Sequence, residues 1–121
     1  MLNIKTRSSN FAQTPAIEDY VTKRVSSLSK FLNDHNENIL CEVELGKSTN
    51  HHKSGEIFRA EINIVRSGKD QYFAVAEGID LYSAIDKVRD EIEREIVGRK
   101  EKRETLFRRT ASRFKSFFKK S

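Results

Sequence analysis

The side chains in this sequence that could do chemistry are cations rather than nucleophiles. Lys23, Arg24 and Lys30 lie in one amphipathic segment, Lys87 and Arg94 lie in another, and Arg99, Lys100 and Arg103 open a basic C-terminal stretch. Cations carried on neighbouring elements can contact several phosphates at once, which releases counterions and makes binding salt-dependent. Ordinary solubilising charge is the competing reading of the same residues. Other chemistry has less to work with. His51 and His52 are adjacent, so on extended backbone they point apart, and no carboxylate stands beside them at ligand spacing. Cys41 is the single cysteine, and on the inward phase of a strand it acts as a small apolar residue. It has no partner for an internal disulfide, and with His35, His51 and His52 it does not complete a four-ligand cysteine-rich zinc site. Glu91, Glu93 and Glu95 spread around a helix and alternate with Arg89 and Arg94, the pattern of a salt-bridged, solvated surface. The glycines fit bulges, turns and helix ends, and there is neither a phosphate-cradling loop nor a nucleophile elbow. The expectation is a protein that is not an enzyme and has no metal, no cofactor and no small-molecule substrate.

The elements that must position the cations follow from periodicity. Leu2, Ile4 and Thr6 alternate with Asn3, Lys5 and Arg7, the period of a strand buried on one face. Thr14-Pro15 starts a helix, with a capping hydroxyl followed by a residue that needs no N–H in the first turn. The stripe Ile17, Val21, Val25, Leu28 and Leu32 predicts that it runs to about Leu32, with Lys23, Arg24 and Lys30 off the stripe. After the polar run 33–38, Ile39, Cys41, Val43 and Leu45 give a second strand. Phe58, Ala60, Ile62 and Ile64 give a third, Ser67-Gly68 a turn, and Gln71 to Glu77 a fourth. Asp80 caps a second helix with the stripe Leu81, Ile85, Val88, Ile92 and Ile96, on which Asp90 can pair with Arg94. The predicted fold is α+β in the order βαβββα, a four-stranded sheet with two helices packed on one face and the other face open.

Composition places that domain in water. The 121 residues suit one core, 36% hydrophobic against 34% charged residues with a mean hydropathy of −0.67 suits a soluble protein, and no apolar run approaches the roughly 20 residues a membrane span requires. The N-terminal ten residues lack a signal-peptide hydrophobic stretch, which points to the cytoplasm. The net charge of +5 is unevenly spread, with −3 over residues 1–98 and +8 over 99–121. We therefore expect a folded domain over 1–98 and a basic, Phe-containing tail over 99–121, either a helical extension or disordered. In the tail Phe107, Ala111, Phe114 and Phe118 recur at helical spacing among cations. That pattern suits RNA, where rings stack on unpaired bases, and equally a protein groove or a membrane surface.

Particular residues resemble those of the ribosome hibernation-promoting factor family, which includes the ribosome-associated inhibitor A proteins. They are Ile4-Lys5, the segment Tyr20-Val21-Thr22-Lys23-Arg24-Val25, Leu28-Ser29-Lys30-Phe31, Lys47, His52-Lys53, Ala76-Glu77 and, most specifically, Asp80-Leu81-Tyr82-Ser83-Ala84-Ile85-Asp86. The similarity spans about residues 1–100. In the Asp80–Asp86 stretch, Asp80 is expected to cap, Leu81 and Ile85 to enter the core, and Tyr82 to lay its ring over the sheet edge. The resemblance implies a non-catalytic protein that binds the small ribosomal subunit and its rRNA at the decoding region and blocks mRNA and tRNA binding in idle ribosomes. It further implies that Lys23, Arg24, Lys30, Lys87 and Arg94 face ribosomal RNA, with Lys53 as an addition; Arg99, Lys100 and Arg103 would add grip from the tail. Long members carry a separate dimerisation domain that 99–121 is too short to form, so the chain is similar to a short form and is expected to be a monomer off the ribosome. The alternative is a general module of the double-stranded-RNA-binding type. That module places lysines at the start of its second helix, where this chain has Asp80, Leu81, Tyr82 and Ser83.

Overall fold

The computed structural model describes residues 2–9, 11–32, 38–47, 57–66 and 71–119, with the side chains of 103, 104 and 107–119 left out. The elements are β1 (Leu2–Ser9), α1 (Pro15–Ser26), α2 (Ser29–Leu32), β2 (Ile39–Lys47), β3 (Phe58–Arg66), β4 (Gln71–Gly78) and α3 (Leu81–Lys119). The predicted turn at Ser67-Gly68 and the 48–55 connection lie outside the described residues. The sheet has four strands in the order β1-β2-β3-β4. β1 and β2 are parallel, as the intervening helical crossover requires, and the two later pairs are antiparallel. The fold is the α+β βαβββα layer pair that the periodicity predicts.

Alternation puts Ile39, Cys41, Val43 and Leu45 of β2 and Ala60, Ile62 and Ile64 of β3 on the covered face. Over them pack Val21 and Val25 of α1, Leu28, Leu32 of α2, and Ile85, Val88 and Ile92 of α3, all essentially without solvent contact. α3 lies across β3 and β4, with α1 beside it over β1. Gly78 lets β4 turn closely into α3: a Cβ there would stand 2.8 Å from the Ala84 amide nitrogen.

Both helix starts form as the caps predict. Thr14 Oγ1 accepts from the Ile17 amide at 3.3 Å, and Asp80 Oδ1 accepts from the Ser83 amide at 2.7 Å. The end of α1 differs from the sequence reading. α1 stops at Ser26 instead of running to Leu32, because a serine cluster redirects its last turn. Ser26 Oγ donates to the Lys23 carbonyl and Ser27 Oγ to the Arg24 carbonyl at 2.6 Å, and Leu28 N–H donates to Val25 in a tighter i−3 turn. The break still leaves Leu28 and Leu32 buried. α3 instead continues past Gly98 to Lys119, 39 residues or roughly 58 Å at 1.5 Å per residue. Residues 99–104 are all Arg, Lys or Glu, strong helix formers, and a stretch too short to be a stable helix alone can continue one already nucleated on the sheet.

Candidate nucleic-acid interface

A polar seam joins α1 to α3 along the top of the core. Tyr20, Arg24 and Ser27 repeat at helical spacing and so share one side of α1, while Asp86, Arg89, Asp90 and Glu93 cluster on the facing side of α3. Arg24 Nε lies 2.9 Å from Asp86 Oδ1, and its Nη2 lies 4.0 Å from Asp90 Oδ1. The Tyr20 hydroxyl donates to the same Asp86 oxygen at 2.6 Å. That bond to a carboxylate, followed by partial burial and the Asp86 charge, raises the Tyr20 pKa above the usual value of 10.0. Arg89 is 9% exposed; its Nε and Nη2 donate to Ser27 Oγ at 3.1 and 2.9 Å, and its Nη1 donates to Glu93 at 2.6 Å and Asp90 at 3.2 Å. No buried side-chain nitrogen or oxygen among the described residues lacks a partner.

The predicted site residues divide between this seam, the β4 edge and the outer surface. Arg24 is half-buried in the seam with its charge countered by carboxylates. Lys23, its neighbour, is exposed and makes no ion pair among the described residues. Lys30 is exposed with its Nζ 5.1 Å from the centre of the Phe31 ring. Lys87 and Arg94 are seven residues, two helical turns, apart and therefore share one side of α3, both exposed. Lys87 Nζ donates to the Glu77 carbonyl at 3.3 Å, at the end of β4. The predicted Asp90–Arg94 side-chain pair does not form: Asp90 turns to Arg89 and Arg24, and Arg94 Nε reaches the Asp90 main-chain oxygen at 3.4 Å. Arg99 is tied to the start of β4, donating to the Gln71 carbonyl at 2.7 Å and to Glu95 at 2.8 and 3.0 Å, with its guanidinium 4.7 Å from the Tyr72 ring centre. Lys100 is exposed beyond it. Lys53 and the Arg103 side chain lie outside the described residues.

Sequence reasoning assigned Arg89 to the solvated surface, but it is the charged residue that the two helices bury. The usable signal was Ser27 and Arg89, each just off the apolar stripe of its own segment, and only the helix pairing brings them together. Tyr82 also differs from its expected place. Its ring stands edge-on to Tyr20, centroids 4.8 Å apart at 87°, rather than over the sheet edge, and it is 44% exposed. Cys41 is buried with its thiol pushed up to about 12 by desolvation and then by Glu42, in keeping with a core residue. Among the described residues no group of three or more His, Cys, Asp or Glu could hold a metal, and no helix is long and apolar enough to cross a membrane.

A two-layer α+β protein that carries exposed cations on its helix layer is the class that fold and site define together. The chain belongs to the family described as Sigma 54 modulation protein / S30EA ribosomal protein, whose model matches residues 4–104. These are non-enzymatic, ribosome-associated factors, and the chain is accordingly not an enzyme. Among solved structures it is similar to the N-terminal domain of Protein Y from Thermus thermophilus, with 28% identity and a TM-score of 0.59 over 78% of this chain and 90% of that one. It shares its fold with a ribosomal subunit interface protein from Coxiella burnetii, with 19% identity and a TM-score of 0.61 over 84% and 99% of the two chains. Comparison with curated proteins gives no match.

Proposed function

We propose that this protein is a ribosome hibernation factor of the cytoplasm. It binds the small ribosomal subunit at the decoding region through rRNA phosphates, occupies the paths of mRNA and tRNA, and represses translation in idle ribosomes under stress. The observation that carries this reading is the family match across residues 4–104, which spans both the sheet and the cation-bearing helix layer. Lys23, Lys30, Lys87, Arg94 and Lys100 are the phosphate contacts, since they are exposed and none is held by a carboxylate. Lys53, Arg99 and Arg103 extend the contact along neighbouring RNA, and Arg24 acts mainly by fixing α1 against α3. Off the ribosome the protein is a monomer.

Sedimentation of small subunits through sucrose with the protein present tests this directly. Co-migration at low salt, loss on raising the salt, and competition by mRNA and initiator tRNA are the expected results. Salt-independent co-migration, binding undisturbed by both ligands, or tighter binding to a plain RNA duplex than to the subunit would overturn it.

A further inference from the structure

At the end of the helix layer where β4 passes into α3, the molecule exposes aromatic and aliphatic surface that its own fold does not use. Ile79 is 84% exposed and Tyr82 44% exposed. Ile79 immediately precedes the helix cap Asp80, the position from which an apolar side chain commonly folds back on the first turn, and here it does not. Tyr82 is nonetheless placed by a neighbour. Tyr20 meets it at right angles, and Tyr20 is itself fixed through Asp86, which Arg24 also grips. At 44% exposure much of the Tyr82 ring stays uncovered, and the contact with Tyr20 reduces the freedom it would lose when something stacks on it.

The surroundings carry both signs of charge: Asp80 is engaged in the helix cap and Asp86 by Tyr20 and Arg24, which leaves the cations as the unspent charge. Lys23 lies one turn along α1 from Tyr20, and the Lys87 ammonium sits by the Glu77 carbonyl, two residues before Ile79. Exposed aromatic surface on elements that also carry exposed cations is a combination that binds unpaired nucleotides. We infer that Tyr82 is a stacking platform for an unpaired RNA base, with Ile79 packing beside it and Lys23 and Lys87 engaging the flanking phosphates. This rests on the RNA-binding reading above and adds to it a contact with a base.

The test compares the full chain with Tyr82→Phe and Tyr82→Leu. Each is titrated with a short single-stranded RNA, with an abasic ribose-phosphate oligomer of equal length, and with small ribosomal subunits. Thermal melting of each variant checks the fold. The expected result is that the parent and Tyr82→Phe prefer the RNA over the abasic oligomer, while Tyr82→Leu loses that preference, binds RNA and subunits about tenfold more weakly, and melts like the parent. Equal binding of RNA by Tyr82→Leu and the parent would overturn the stacking assignment. So would a loss confined to subunits with no preference for bases in the parent, which would make the patch a protein contact. A Lys23→Glu, Lys87→Glu variant keeps the two readings separate. If it loses subunit binding while Tyr82→Leu does not, the base contact fails and phosphate binding stands; if neither loses it, both fail.

Discussion

The seam between α1 and α3 and the outer surface of the same two helices draw on the same residue types and use them in opposite ways. Arg24 and Arg89 in the seam are surrounded by Asp86, Asp90 and Glu93, so their charge is spent inside the fold. Among the described residues Lys23 outside, and Lys30 on the adjoining α2, have no carboxylate partner, and Lys87 and Arg94 touch main-chain oxygens. The division follows position first, since the Arg94 guanidinium is left outside, and side-chain chemistry second. A guanidinium offers five donors in a rigid fork and can satisfy Ser27, Asp90 and Glu93 together, whereas an ammonium is a strongly hydrated point charge suited to a phosphate met in water. Counting basic residues therefore overstates the binding surface, since some of them are structural parts.

Substitution can break that contrast from either side. Reversing only outer cations, Lys23→Glu with Lys87→Glu and Arg94→Glu, should weaken small-subunit binding by roughly two orders of magnitude and flatten its salt dependence, with the melting curve unchanged. A filter-binding titration at several salt concentrations reads both effects. Arg89→Met should do the reverse. It strands Ser27 and Glu93 beside a removed charge and should cost about 2–3 kcal/mol of stability, seen as a fall in Tm of about 10 °C, while subunit affinity measured at a temperature where the variant is folded stays near that of the parent. Arg89 losing affinity out of proportion to its lost stability would show that the seam itself touches RNA.

A smaller effect sharpens the account of Tyr20. Tyr20→Phe should cost about 1 kcal/mol at neutral pH through the lost bond to Asp86. Because the folded-state pKa of Tyr20 is raised, the stabilisation is complete below the unfolded value of 10.0 and is lost as the pH rises through the folded pKa. Denaturant melts of parent and Tyr20→Phe should therefore differ below pH 10 and converge above it. A constant gap at every pH would mean that the ring rather than the hydroxyl supplies the stabilisation.

Strands were the most legible part of the chain, since alternation at Ile39, Cys41, Val43 and Leu45 leaves a single choice of buried face. The starts of α1 and α3 were equally plain, because a cap acts on amides within the next turn. Helix ends were harder. The apolar stripe runs unbroken through Leu28 and Leu32, so the stop after Ser26 depends on serine hydroxyls bonding back to carbonyls, a competition that periodicity does not register. The candidate cations were all visible as residues, but which of them face solvent was not.

Local order along this chain was thus determined by short-range physics: where apolar side chains recur, which residue caps a helix, and where cations accumulate. The family resemblance in Asp80–Asp86 belongs to the same level as a string of residues, although only Asp80 among its polar members acts on its own turn, while Tyr82 and Asp86 find their partners on α1. Only the docking of α1 beside α3 decided that Arg89 is buried, that Arg24 is held by Asp86, and that Tyr82 stands exposed against Tyr20. These partners are separated by about sixty residues in sequence, and ion pairs and ring contacts depend on distances of a few ångströms that no local pattern can encode.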